Sequence, residues 1–138
     1  LKASTAAGAL QDTLDDPERD IRIAAARALG ALRYGPAAGR LEEILRSKEL
    51  RAADITEKVA FFEAFGTVAG ERAVEMLDKL LNSKGFLGKR EPSEVRAAAA
   101  LGLGKIPGPA AQAALRRAVQ EDDAVVRSAV NRALRSED

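Results

Sequence analysis

The sequence predicts an all-α solenoid, a stack of antiparallel helix pairs. Three observations carry that expectation. One helix-like pattern recurs four times, a second recurs between its copies, and glycine or Gly-Pro punctuates the junctions. The first pattern is clearest in residues 20–32 and 94–106, which lie 74 residues apart, and again in 125–134, 31 residues further on. A diverged copy, 58–68, begins 36 residues after its equivalent in the first. The matching basic positions are Arg22, Lys58, Arg96 and Arg127, at spacings of 36, 38 and 31. Repeats of this length are the mark of units that bury their apolar faces only by stacking on one another.

Taken in chain order, residues 6–14 have the second pattern (small residues, then Leu10 and Leu14) and stand without a preceding first helix. Asp16-Pro17 supplies a capping carboxylate for the first helix that follows. Ile21, Ala24, Ala25, Ala28, Leu29 and Leu32 recur there at spacings of three and four, the amphipathic helix signal. Gly35-Pro36 ends that helix and opens the next, since proline is tolerated in a first turn. Residues 37–45 then repeat the second pattern. With Ala37, Leu41, Ile44 and Leu45 inward, Arg40, Glu43 and Arg46 face outward. Asp54 is the expected cap of the second first-helix, in which Phe61, Phe62 and Phe65 replace small residues; Gly70 closes it. The second helix after it presents Glu75, Met76, Asp78 and Lys79. Ser93 is a candidate cap for 94–106, and Gly108-Pro109 leads into a second helix presenting Arg116, Arg117 and Gln120. Asp122-Asp123 caps a last first-helix that has no partner after it. The chain thus reads as one array of about three full repeats with a half-repeat at each end. Its opening in helix-like sequence, without an initiator Met, suggests a portion of a longer protein.

Two stretches exceed the 31-residue period. Residues 47–54 add five residues and 82–92 add seven, both between a second helix and the next first helix. Such insertions emerge on one edge of a stack and often line its binding face. The longer one carries Phe86-Leu87 between two glycines, beside Lys84, Lys89 and Arg90. That apolar pair either tucks back onto the stack or contacts a partner.

Composition narrows the function. A hydrophobic content of 46% with 31% charge is that of a folded, globular chain. Only 4% is aromatic, so the core rests on many small contacts. A net charge of +1 gives no global field to steer nucleic acid or an anionic membrane, and no apolar run approaches the ~20 residues of a membrane span. Without cysteine there is no disulfide framework; the expected compartment is the cytoplasm. Histidine is absent too, which removes the commonest general base, metal ligand and thiol nucleophile together. Glu42-Glu43 and Asp15-Asp16 read as solvated or capping pairs, and the Gly85-to-Lys89 segment lacks phosphate-loop spacing. No catalytic residue, metal ligand or cofactor is expected.

The pattern [VI]-R-x-A-A-x-x-A-L-G-x-[LI], followed by Gly-Pro and A-x-x-x-L-x-x-x-[LV], resembles the HEAT-like repeats of the phycobilisome-lyase type, common in bacterial proteins. The resemblance spans nearly the whole chain and is weakest around Lys58. It implies a right-handed stack with second helices lining the concave face, and binding of other proteins. It also implies that Arg22, Lys58, Arg96 and Arg127 form a ladder of charge-assisted hydrogen bonds between repeats, with Asp16, Asp20, Asp54, Glu57, Glu91, Glu94, Asp122 and Asp123 as the nearby carboxylates.

The functional expectation is therefore a non-enzymatic protein-interaction module. Its candidate surface is the outward row Arg40, Glu43, Arg46, Glu75, Met76, Asp78, Lys79, Arg116, Arg117 and Gln120, with Phe86, Leu87, Lys89 and Arg90 at the edge. Nucleic-acid binding is the alternative, opposed by the carboxylates that interrupt the row; an accessory role in a tetrapyrrole lyase comes third. The half-repeats are expected to leave Leu10 and Leu14 uncovered at one end and Val126, Val130 and Leu134 at the other, which would favour end-to-end self-association.

Overall fold

The computed structural model describes residues 2–135, with side chains for 5–85 and 87–135. The described residues are helical with no strand. The helices are α1 (Lys2–Asp12), α2 (Arg19–Ala31), α3 (Ala38–Leu45), α4 (Lys48–Ala52), α5 (Ile55–Ala69), α6 (Val74–Asn82), α7 (Ser93–Leu103), α8 (Pro109–Arg116) and α9 (Ala124–Arg135). In the repeat order of the sequence α2, α5, α7 and α9 are first helices and α1, α3, α6 and α8 second helices. In space each second helix packs on the first helix that follows it, α1 on α2, α3 on α5, α6 on α7 and α8 on α9.

Local chemistry sets these boundaries. Asp54 caps α5 by accepting from the Glu57 amide at 2.9 Å, and Gly70 closes it at φ 63°, a conformation that glycine alone adopts without cost. Asp123 accepts from the Val125 and Val126 amides at the start of α9. Two expected caps differ. Asp16 closes a local turn onto the Glu18 amide without capping α2, and Ser93 is already inside α7, its hydroxyl turned to Asp123. The first insertion is also more than a loop. Ser47 accepts from the Leu50 amide and starts the short helix α4, which drives Leu50 into the core at 3% exposure.

The two sides of the stack pack differently. The first helices α2, α5, α7 and α9 lie directly on one another. Eight residues after the ladder position stands a glycine in three of them, Gly30, Gly66 and Gly104. Each meets a small residue of the next first helix. A Cβ on Gly30 would sit 3.4 Å from the Ala64 Cα, one on Gly66 would collide with the Gly102 carbonyl, and one on Gly104 would lie 2.8 Å from the Ala133 Cβ. Between the two rows runs one continuous apolar core, from Ala7 to Ala133. Leu41, Leu45, Leu77, Leu81 and Leu115 of the second helices are buried in it. Removing such a side chain from water contributes about 1.5–3 kcal/mol. On the second-helix side α6 packs on α8, but α3 and α6 make no comparable contact.

The ends correct one expectation. Leu14, Val126 and Val130 are fully buried, and Leu10 and Leu134 pack partly against the core. The face that α9 turns outward is instead polar: Ser128, Asn131 and Arg135 occupy the places held by Ile23, Ala26 and Gly30 in α2. At the other end Ile21 and Leu32 of α2 remain 40% and 49% exposed.

Candidate functional site

The ladder comes first because it fixes how the repeats face one another. Arg22 donates twice to Glu57, at 2.7 and 3.0 Å, and once each to the carbonyls of Asp16 and Pro17. Lys58 Nζ donates to Glu94 at 3.2 Å and to the Ala53 carbonyl at 2.5 Å. Arg96, only 4% exposed, donates to Glu121 at 2.6 and 3.3 Å and to the Leu81 carbonyl at 3.0 Å. Each cation therefore ties a carbonyl N-terminal to its own helix to a carboxylate further along the array. Arg127 takes the carbonyls of Glu121 and Asp122 and meets no carboxylate among the described residues. Glu57 and Glu94 serve the repeat before their own, and Glu121 was not foreseen; nothing in its spacing announces it. Its carboxyl is held below the usual range by Arg96 and, secondarily, Arg90. An outer rung runs beside this one. Arg19 donates to Asp54 at 2.5 and 3.1 Å, and with the Glu57 amide it lowers the Asp54 carboxyl to about 2.

Part of the expected binding row is engaged internally. Arg40 pairs with Asp15 at 2.5 Å, and Arg117 with Asp78 at 2.7 Å. Burial alone would raise the Asp78 carboxyl, but the hydrogen bonds from Arg117 and Asn82 outweigh it and lower it. Arg90 pairs with Glu121 at 2.8 Å. Arg46–Glu42 and Lys79–Glu75 are exposed pairs one helical turn apart, Arg40 also lies 3.7 Å from the exposed Glu43, and such contacts are worth a few tenths of a kcal/mol. Arg116, Gln120 and Lys89 are exposed.

Where α3 and α6 separate, the row opens into a groove of about 530 Å³. Its apolar lining includes Leu45, Phe62, Met76, Leu80 and Val95, and its charged lining is Arg46, Arg51, Lys58, Arg72 and Lys79 against the one carboxylate Glu75. Arg72, a member the sequence reading missed, has no ion-pair partner among the described residues. α4, which follows α3 in the chain, forms part of the groove wall and contributes Leu50 and Arg51 to its lining. The second insertion comes to meet it, for Arg51 donates to Glu91 at 2.6 Å. Both interruptions of the period thus frame one feature. Leu87 on the second insertion is 81% exposed at φ 59° between the positive-φ residues Gly85 and Gly88. It does not tuck back; the Phe86 side chain lies outside the described residues.

The sequence profile of the family described as HEAT repeats matches residues 48–135. The chain belongs to the HEAT-repeat family. The match begins at α4 and takes in everything to the end of α9, so the groove's far wall and the ladder rungs of Lys58 and Arg96 are HEAT-repeat structure. None of the curated proteins matches the chain. HEAT repeats commonly serve as protein-interaction scaffolds, and among the described residues no helix is long and apolar enough to cross a membrane.

Proposed function

We propose that this HEAT-repeat chain, of the bacterial phycobilisome-lyase subtype, is a non-enzymatic protein-binding module whose partner seats in the groove between α3 and α6. One observation carries the reading. The two segments that break the repeat period converge, through Arg51 and Glu91, at the wall of the groove on the second-helix side. A groove with an apolar floor and a cationic rim suits a protein segment that buries apolar side chains and brings carboxylates to the edge. Leu87, held out by its two glycines, supplies a second apolar contact beyond the groove. Nucleic acid is the poorer occupant, because Glu42, Glu91, Glu94 and Glu75 already partner four of the rim cations.

A photo-crosslinking residue at Met76 of the full chain is expected to capture the partner, and the same residue at Lys105 is not. Against the captured protein, Arg72→Glu and Met76→Asp each weaken binding at least tenfold, Arg72→Glu without moving the denaturation midpoint. Unchanged affinity in both variants removes the groove as the site. Tight binding of single-stranded DNA with a steep loss on adding salt would replace a protein partner with nucleic acid.

A further inference from the structure

The groove does not end at α4. On the other side of that helix lies a second hollow of about 400 Å³, lined by the carboxylates Asp15, Asp16, Glu43, Glu49 and Glu57 against Arg22 and Arg40. Two of those five acids are matched by the two arginines, as Asp15–Arg40 and Glu57–Arg22. Asp16, Glu43 and Glu49 are left to give the hollow its sign, Glu43 only grazing Arg40 at 3.7 Å. The first groove has the opposite sign: Arg46, Arg51, Lys58 and Lys79 are matched by Glu42, Glu91, Glu94 and Glu75, and Arg72 is left to make it cationic. α4 performs the sorting. Leu50 is turned into the core and touches both hollows, while its neighbours part: Glu49 lines the acidic side and Arg51 the basic side.

We propose that the two hollows form one polarised site, and that its ligand is a protein segment with an acidic, apolar half and a basic half that lies across α4 in a single direction. The acidic half rests over α6 and the basic half over the turn after α1. This rests on the groove reading above and adds the ligand's charge order and its orientation. The physical ground is that like-charge juxtaposition in the reversed pose is repulsive at both ends at once, so orientation follows from the field of the site even where the apolar contacts are permissive.

The test uses the full chain and three synthetic peptides. One has a glutamate–leucine half and a lysine–leucine half. The second keeps the acidic half and replaces the basic half with serine and glycine. The third has the composition of the first with its charges alternated. The block peptide is expected to bind at least tenfold more tightly than either other, and Glu49→Lys should remove most of that advantage. A spin label on its acidic end should broaden the amide signals of Glu75 and Lys79 and leave those of Asp15 and Asp16 sharp. Equal affinity of the first two peptides, with both weakened by Arg72→Glu, overturns the polarity and leaves the groove. Broadening at Asp15 and Asp16 from the acidic end overturns the orientation. Binding by none of the three overturns the groove reading along with the polarity.

Discussion

The first-helix row and the second-helix row are built from the same repeats, yet one is closed and the other is open. Along the first row, glycine meets alanine or glycine at each step, and at Gly66 and Gly104 the helices approach until a single Cβ would collide. Along the second row, leucines point inward and charged residues outward, and α3 and α6 flank a groove. The closed row therefore sets the spacing of the stack. The open row is free to accept an inserted helix and to become a groove. Binding capacity arises where packing does not fix the distance.

Substitutions that add volume test this contrast most severely. Gly66→Ala in the closed row is expected to destabilise by about 3 kcal/mol in chemical denaturation, since its Cβ meets the Gly102 backbone and cannot be relieved by a rotamer change. A loss below about 1 kcal/mol would mean that the first-helix spacing is adjustable. Next in size is the ladder. Arg96→Ala should cost about 2 kcal/mol, because it leaves the Leu81 carbonyl and Glu121 short of a buried donor while Arg90 still serves Glu121. Arg127→Ala, which breaks only exposed carbonyl contacts, should cost under about 0.5 kcal/mol. Equal losses for the two arginines would remove the distinction between a closed rung and an open one.

The pH dependence sharpens the same point. Asp54, Glu121 and Asp123 all have carboxyls held below their ordinary range, by Arg19, by Arg96 and by the Ser93 hydroxyl respectively. A group depressed in the folded state contributes stability above its unfolded pKa, near 4, and loses it as pH falls through the folded value. The denaturation midpoint should therefore stay level from pH 7 to about 5 and fall between about 4 and 2. Glu121→Gln should flatten part of that fall. An expected gain belongs to the open side. Gly39→Ala in α3 has nothing within 4 Å of the new Cβ and should stabilise by about 0.5–1 kcal/mol through helix propensity alone.

Much of the closed row was legible in the sequence, and little of the open one. Periodicity identifies a helix by its buried face, so Ile21 to Leu32 and their copies locate the first helices, and Arg22, Lys58, Arg96 and Arg127 fall in register. The carboxylates they reach belong to other repeats, and pairing across a stack leaves no mark on local spacing; Glu121 illustrates this. α4 was read as surplus loop because five residues are too few for an apolar period, although Ser47 had the chemistry of a cap. Arg72 was passed over for the same reason. It sits in the 3-10 turn before α6, outside any helix whose face could be counted.

One position carries a consequence for how such an array changes length. Where α2, α5 and α7 place a glycine, α9 has Arg135, and its outward face continues with Ser128 and Asn131. A duplicated repeat laid against that face would find a charged side chain in the contact that at Gly66 and Gly104 admits no Cβ. A copy spliced between α6 and α7 would meet small residues on both sides. Arg135→Gly is the change that would give α9 the small residue found at Gly30, Gly66 and Gly104.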